Sequence, residues 1–197
     1  MKKVKLFSLL VLFFTSSSIF AQQSTWSFDE AHSKITFSVT HLVITEVPGY
    51  FSKFKGSVTS YSDDFVNSKI EFEVDAKSIN TDNESRDNHL RSADFFDTEK
   101  YPKITFKSKS FTKVDEKNYK LTGDFTIKDV TKTITLDVVY GGTIKDPWGN
   151  TKAGFKIKGQ INRFDYNLKW DKLLETGGAV VSKEVELMCF VQLLKNK

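Results

Sequence analysis

Apolar and charged residues alternate along most of this chain, and the alternation restricts it to folds built from half-buried strands. Residues 69–76, KIEFEVDA, give the sharpest example, with an apolar residue at every second position and a charged residue between. Successive side chains of a β-strand point to opposite faces, so one face of this strand meets an apolar interior and the other meets water. The sequence therefore predicts a sheet with one buried face.

About eight segments alternate in this way, and most are separated by short turn sequences. Residues 47–49, Val-Pro-Gly, are interpreted as a break between the first two strands. Strands in which apolar residues recur at every second position, joined by short turns, predict one all-β domain. That domain is an antiparallel barrel or sandwich. The predicted strands are residues 34–42, 51–61, 69–76, 104–111, 119–127, 133–140, 152–161 and 184–194, after a short extended lead-in at 26–29.

An eight-stranded barrel can be filled by its own side chains or can hold one small ligand. Predicted interior positions include the small residues Gly56, Gly123 and Gly159 as well as large ones such as Phe72 and Phe155. Because glycine has no side chain, these positions leave room for a ligand. An alternation of small and large residues, however, also fits the taper of a filled barrel. The pattern alone leaves both outcomes open.

One stretch interrupts the strand pattern and predicts a short helix. Residues 83–92 are polar, lack Gly and Pro, and precede Ala93, which continues the helical spacing of Arg86 and Leu90. Two adjacent phenylalanines follow at 95–96. We interpret the helix and this aromatic pair, placed between two strands, as a cap or wall for the sheet.

The N-terminal residues predict a secretory signal peptide. Residues 1–5 contain three lysines, residues 6–14 are apolar, and Ala21 provides a small residue for cleavage. The expected division is a signal peptide at 1–21 and one strand-rich domain at 22–197. We expect the mature chain to be soluble and either periplasmic or secreted.

Charge and motif content argue against several classes of function. Removing the three lysines among residues 1–5 takes the formal net charge from +4 to +1, and the remaining basic residues form no block that suits a nucleic acid. His32, His41 and His89 lack the spacing of metal ligands, and no G-x-S-x-G or phosphate-binding loop is present. Cys189 lies on the apolar side of a strand, which favours a buried, inert thiol. We therefore expect no enzyme, no metal ion and no nucleic-acid partner.

A series of short motifs spans the predicted domain. In chain order they are Trp26-x-x-Asp29-x-x-His32-Ser33, Gly49-Tyr50-Phe51-x-x-Phe54-x-Gly56, Arg86-Asp87-x-His89-Leu90, Asp94-Phe95-Phe96-Asp97 and Arg163-Phe164-Asp165-Tyr166. In this order they resemble the YceI-like family of lipid-binding proteins. The resemblance implies a lipocalin-like antiparallel barrel with a long apolar pore. Asn167 is a departure, since the family more often has Gly after the last motif.

The resemblance also implies a function, which is to hold a long isoprenoid lipid, polyprenyl or quinone-like, for carriage or sequestration. The lipid is the expected ligand, and no further cofactor is expected. Each buried methylene contributes about 0.8 kcal/mol, so the tail would supply affinity while the polar head and the pore length supply selectivity. The residues predicted to line the pore are Phe37, Val39, Phe72, Val74, Phe106, Phe125, Leu136, Phe155 and Ile157, and those predicted at its mouth are His41, Arg86, His89 and Arg163.

Two alternatives stay open at this point. An enzyme acting on such a lipid would lose turnover, and keep binding, when one polar group is changed. A filled barrel would act through its outer surface, where Met188, Phe190 and Leu194 form an outward apolar run. The sequence allows transient membrane contact and leaves the oligomeric state open, a dimer included.

Overall fold

The computed structural model describes residues 23–173, 175 and 179–197, and the predicted signal peptide lies outside these residues. The described chain forms eleven strand segments and one α-helix. The strand segments are β1 (Ser24–Phe28), β2 (Lys34–His41), β3 (Thr45–Phe51), β4 (Phe54–Ser60), β5 (Lys69–Asp75), β6 (Ile79–Asn80), β7 (Lys103–Lys113), β8 (Asn118–Ile127), β9 (Val130–Lys145), β10 (Thr151–Asn162) and β11 (Glu184–Lys195), and the helix is α1 (Glu84–Arg91).

The eleven segments form eight antiparallel strands, because three of the strands consist of two segments in line. These eight strands close into a barrel. β11 pairs with β1 through residues 193–195 and with β2 through residues 186–190, so β1 and β2 together act as one strand. β3 and β4 form the next strand beside them, and β6 and β5 the one after. β7 to β11 follow in chain order, and the pairing of β11 with β1 closes the barrel. The predicted antiparallel, eight-stranded barrel is confirmed.

The predicted break at residues 47–49 is wrong, since β3 runs through them. Pro48 lies opposite Ser38 of β2, while β6 on the other side of β3 reaches only residues 50–51. Proline is tolerated at this edge position. Because β6 does not extend as far as Pro48, there is no hydrogen-bond ladder on that side of β3 for proline to interrupt. The interruption falls instead at residues 52–53, between β3 and β4.

Helix α1 agrees closely with the predicted segment, and side chains fix its start. Asn83 caps the helix, its side-chain oxygen accepting a hydrogen bond from the Arg86 N–H at 3.0 Å. The buried carboxylate of Asp87 accepts hydrogen bonds from the Thr81 N–H at 2.9 Å and from the Thr81 hydroxyl at 2.6 Å. These contacts attach the helix to the end of β6, and Leu90 packs against the core of the barrel.

Aromatic side chains fill the end of the barrel where β10 begins and β11 ends. Phe65, from the turn between β4 and β5, is 2% exposed, and its ring centroid lies 5.0 Å from that of Trp26 and 5.1 Å from that of Phe155. Phe111 and Tyr119 stack on each other with centroids 4.9 Å apart, and Phe111 also packs on Phe155. We call these five residues the aromatic plug, which closes this end of the interior.

Candidate functional site

The other part of the barrel interior contains a cavity of about 350 Å³, lined almost entirely by aliphatic and aromatic side chains. This volume is within the range of small-molecule sites. The cavity reaches the surface beside α1, because Arg86 and His89 line it and are exposed to solvent. Of the two outcomes that the sequence left open, the structure has the hollow barrel.

Twelve of the thirteen residues predicted to bind a ligand line this cavity. They are Phe37, Val39, His41, Phe72, Val74, Arg86, His89, Phe106, Phe125, Leu136, Ile157 and Arg163. The strand residues among them come from six different segments and converge because alternation directs every second side chain of a strand inward. Their contact with a ligand stays a prediction.

Phe155 is the exception, since it does not line the main cavity. It borders a second cavity of about 40 Å³ on the side of the aromatic plug, together with Phe65 and Phe111. Its ring packs on Phe65 and, at a centroid distance of 5.2 Å, on Tyr140. Phe155 and Ile157 share the inward face of β10, and Ile157 lines both cavities, so the main cavity gives way to the plug between these two residues.

Two glycines allow large side chains to lie flat against the barrel wall. A Cβ atom at Gly49 would overlap the ring of Phe37, and one at Gly159 would overlap the side chain of Leu136. Phe37 and Leu136 therefore rest on bare backbone instead of reaching across the interior. The small residues keep the cavity open by accommodating the bulk of their neighbours.

Arg163 is nearly fully buried, and its guanidinium is occupied by the protein itself. Its Nε donates to the Ser182 carbonyl at 2.8 Å, and its Nη1 donates to the Leu168 and Trp170 carbonyls at 2.7 and 2.6 Å. Burial lowers the pKa of Arg163 below its usual value, and the charge of Asp171 opposes that shift. These contacts hold the segment after β10 against the barrel, which favours a structural role over the predicted contact with a lipid head.

Arg86 is held differently, at the mouth of the cavity. Its Nε donates to the Thr81 hydroxyl and its Nη2 to the Thr81 carbonyl, both at 2.7 Å. Thr81 is fixed in turn by the buried carboxylate of Asp87. No ion pair within 4.0 Å joins Arg86 to a carboxylate in the part of the chain that the structure describes. The positively charged guanidinium of Arg86 therefore faces the opening in a fixed orientation. Its remaining N–H groups are able to donate hydrogen bonds to a ligand.

His89 and two aromatic rings form the rim of the cavity next to α1. The ring centroids of Phe95 and Trp170 lie 5.4 Å apart, and His89 packs edge-on against both, at 5.1 and 5.4 Å. Its Nε2 lies 3.0 Å from a carboxylate oxygen of Asp94. His89 is thus a packed rim group whose orientation is set from two sides.

Several cavity residues were not predicted, for two different reasons. Leu187, Cys189 and Val191 line the cavity from β11, and their alternation in the sequence was a sufficient signal to find them. Burial raises the pKa of Cys189 to about 11, as expected for an inert thiol. Trp170 and Val181 come from the irregular segment between β10 and β11, where the sequence has no period that indicates an inward side chain.

The described ranges, 23–173, 175 and 179–197, contain no helix with the length and apolar character needed to cross a bilayer. The same ranges contain no group of three or more His, Cys, Asp or Glu side chains placed to hold a metal ion. The side chains with polar atoms on the cavity wall are those of threonine, histidine, arginine, cysteine and Trp170.

Comparison with known proteins identifies relatives that cover nearly the whole described chain. The sequence matches the YceI-like domain over residues 26–193. A UPF0312 protein of Staphylococcus aureus strain N315 is 40% identical over 164 residues, which cover 83% of this chain and 93% of that relative.

Solved structures share the same barrel. A YceI protein of Campylobacter jejuni is 34% identical, with a TM-score of 0.68, and the match covers 86% of this chain and 96% of that one. BcnA of Burkholderia cenocepacia has a TM-score of 0.73 at 22% identity, over 84% of this chain and 98% of that one. A polyisoprenoid binding domain from Saccharophagus degradans has a TM-score of 0.67 at 15% identity, over 87% and 98%. At their low identity, the last two show the fold alone.

Proposed function

Since this chain belongs to the YceI-like family, we propose that it holds an isoprenoid lipid, polyprenyl or quinone-like, inside its barrel for carriage or sequestration. The observation that carries the proposal is an apolar cavity that opens beside α1, in a barrel whose other end is filled by the aromatic plug. Each buried methylene of a tail contributes about 0.8 kcal/mol, so such a wall binds hydrocarbon without polar contacts. A polyisoprenoid binding domain of Saccharophagus degradans has this fold, so the fold is compatible with an isoprenoid ligand.

In this proposal the polar head of the lipid lies at the mouth and accepts hydrogen bonds from Arg86. The guanidinium is held in place by Thr81, so little side-chain freedom is lost when a ligand oxygen binds. A quinone carbonyl and a phosphate oxygen are both acceptors of the required kind. The tail extends from there past Phe72 and Phe106 toward the aromatic plug.

We further propose binding without catalysis, by an exported protein. Arg163 and Asp87, the most deeply buried charged groups at this end of the barrel, are satisfied by protein atoms, which supports structural roles for both. Export is supported by residues 1–21, whose basic start, apolar core and small residue before the predicted cleavage point are typical of a signal peptide. The proposed location is the periplasm or the cell exterior.

Native mass spectrometry of the chain purified from its own envelope fraction tests the proposal. We expect a discrete added mass, which extraction after denaturation identifies as an isoprenoid. Phe72→Trp should lower the occupancy, because Phe72 lines the main cavity and already packs on Phe28 and Phe54 at 5.1 and 5.8 Å, leaving the cavity as the space for a larger ring.

Phe155→Trp is the matched control, since it makes the same substitution outside the main cavity. It should leave occupancy near the wild-type level, with circular dichroism used to verify that both variants fold. The proposal fails if the natively purified chain carries no lipid and also binds no added polyprenol or quinone. Equal loss of lipid in both variants would contradict the assignment of the main cavity as the site.

A further inference from the structure

The turn between β2 and β3 exposes apolar side chains in a backbone conformation that they disfavour. It consists of Leu42, Val43 and Ile44, which we call the apolar tip, and Val43 is 65% and Ile44 83% exposed. Leu42 and Val43 have φ values of 53° and 65°, in the left-handed region that Gly and Asn adopt readily and a β-branched valine does not. An Asn-Gly pair would suit the hairpin better. Strain of this kind, combined with exposure, points to a functional reason for the apolar residues.

The apolar tip stands on the rim of the cavity. The Leu42 N–H donates to the Val180 carbonyl at 2.9 Å, and His41 forms an isolated bridge with Val181. His41, Val180 and Val181 all line the cavity. Leu173, which is 70% exposed, adds an apolar side chain from the irregular segment that precedes β11. The exposed apolar surface is therefore continuous with the entrance to the apolar interior.

Size and charge indicate what this surface binds. Three residues of a turn are far fewer than the roughly 20–30 that each side of a stable protein interface contributes. Nearby charges are mixed, since exposed Lys169 and Lys172 flank Asp171, and Glu46 accepts a hydrogen bond from Thr40 beside the tip. A small protruding apolar surface with charges of both signs around it fits the boundary between the headgroups and acyl chains of a bilayer. Such a surface does not require anionic lipid.

We propose that the apolar tip inserts into the surface of a lipid bilayer and holds the mouth of the cavity against it. The purpose of this contact rests on the proposed lipid-binding function, because a tail that leaves the cavity there enters the bilayer without crossing water. The docking itself needs no bound lipid. A failure of docking and a failure of lipid binding are therefore distinguishable.

Flotation with phosphatidylcholine vesicles tests the docking. The chain is used without residues 1–21, whose apolar core would itself bind lipid, since all the described strands lie within residues 24–195. The double variant Val43→Ser/Ile44→Ser should lower the vesicle partition coefficient by about tenfold or more, because two aliphatic side chains no longer leave water.

The opposite end of the barrel offers a matched control. Ile144, near the end of β9, and Trp148, in the turn that follows, are 65% and 83% exposed, the same values as Val43 and Ile44. Ile144→Ser/Trp148→Ser therefore removes an equally exposed apolar pair at the end closed by the aromatic plug. It should keep the wild-type partition coefficient.

A second variant keeps the test valid if the serine variant folds poorly. Ile44→Trp preserves the apolar character of the tip, and brominated lipid should quench the added fluorescence when vesicles are present. Circular dichroism verifies the fold of every variant. The proposal is overturned if the wild-type chain does not float, if the control pair reduces binding as much as the tip pair, or if the added tryptophan is not quenched.

Two further outcomes would also overturn it. Binding that requires anionic lipid and disappears at high salt would assign the contact to charge instead of the apolar tip. Loss of a dimer in the tip variant, with no vesicle binding by the wild type, would identify the tip as a contact between two copies of the chain.

Discussion

We predict that Phe65, in the plug beyond the main cavity, limits how far a lipid tail enters the barrel, and truncation of Phe65 tests this directly. Its ring is 2% exposed, and the centroids of Trp26, Phe155 and Tyr140 lie 5.0, 5.1 and 5.8 Å away. Phe65→Ala removes these contacts and enlarges the small cavity that Phe65 borders. We expect the barrel to stay closed, because Phe65 lies in a turn outside the paired strands.

Truncating a buried phenylalanine to alanine costs about 3–5 kcal/mol, the sum of lost transfer energy and the cavity left behind. For a domain of this size each 1 kcal/mol lowers Tm by about 2–4 °C, so Tm should fall by about 6–20 °C. Denaturant unfolding followed by circular dichroism measures the loss of unfolding free energy. In the same preparation, binding of a polyprenol length series should shift toward longer chains, because the closed end has receded.

Phe190→Ala serves as the control for this experiment. Phe190 is 43% exposed on the outer side of β11, with the Lys156 ammonium 5.5 Å from its ring centroid, so its removal should cost less than about 1 kcal/mol. A similarly small loss for Phe65→Ala would show that the plug is not a packed part of the core. A large loss of stability with an unchanged length preference would refute Phe65 as the limit of the cavity.

Three further substitutions test the wall, an ionised side chain and the buried arginine. Gly123→Ala places a Cβ 2.5 Å from the Lys107 carbonyl oxygen, so the unfolding free energy should fall by about 1–3 kcal/mol in a denaturant titration. Burial acts to raise the pKa of Asp29, but hydrogen bonds from His32 and two other side chains outweigh it and lower the pKa to about 2. Because the folded pKa is depressed, a stabilisation of about 2 kcal/mol is complete above about pH 4 and is lost as the pH falls through 2, and Asp29→Asn should remove this pH dependence from unfolding curves. Arg163→Met leaves four carbonyl groups without their donor and should cost about 3 kcal/mol or more, with faster proteolysis after β10 as the second measurement.

Asn167 adopts a backbone conformation that also suits a glycine. It lies directly after the 3₁₀ turn Arg163–Tyr166, where the resemblance to the family predicts Gly more often than Asn. Its φ of 59° is left-handed, and Asn adopts that conformation more readily than other residues with a side chain. The substitution therefore keeps the turn that brings Arg163 to its carbonyl partners.

The limits of the sequence are clearest on β10. Alternation identified Phe155 and Ile157 as inward residues, yet Ile157 lines the main cavity and Phe155 packs in the plug. Phe65, which packs on Phe155 in the plug, has a φ of 62° in a turn and belongs to no periodic pattern. Arg163 was similarly predicted at the mouth, and it lines the cavity, but the carbonyls of residues 168, 170, 181 and 182 accept hydrogen bonds from its guanidinium.

By itself, the sequence determined most of the strands, the short helix and the direction in which most strand side chains point. These features follow from local geometry, since a strand turns every second side chain to one face and a capped polar segment between strands forms a helix. Only the tertiary structure decided how far the cavity extends, where it opens and which polar groups remain for a ligand. Those properties depend on contacts between segments far apart in the chain, such as Phe65 on Phe155 and Arg163 on Ser182, and no local period encodes them.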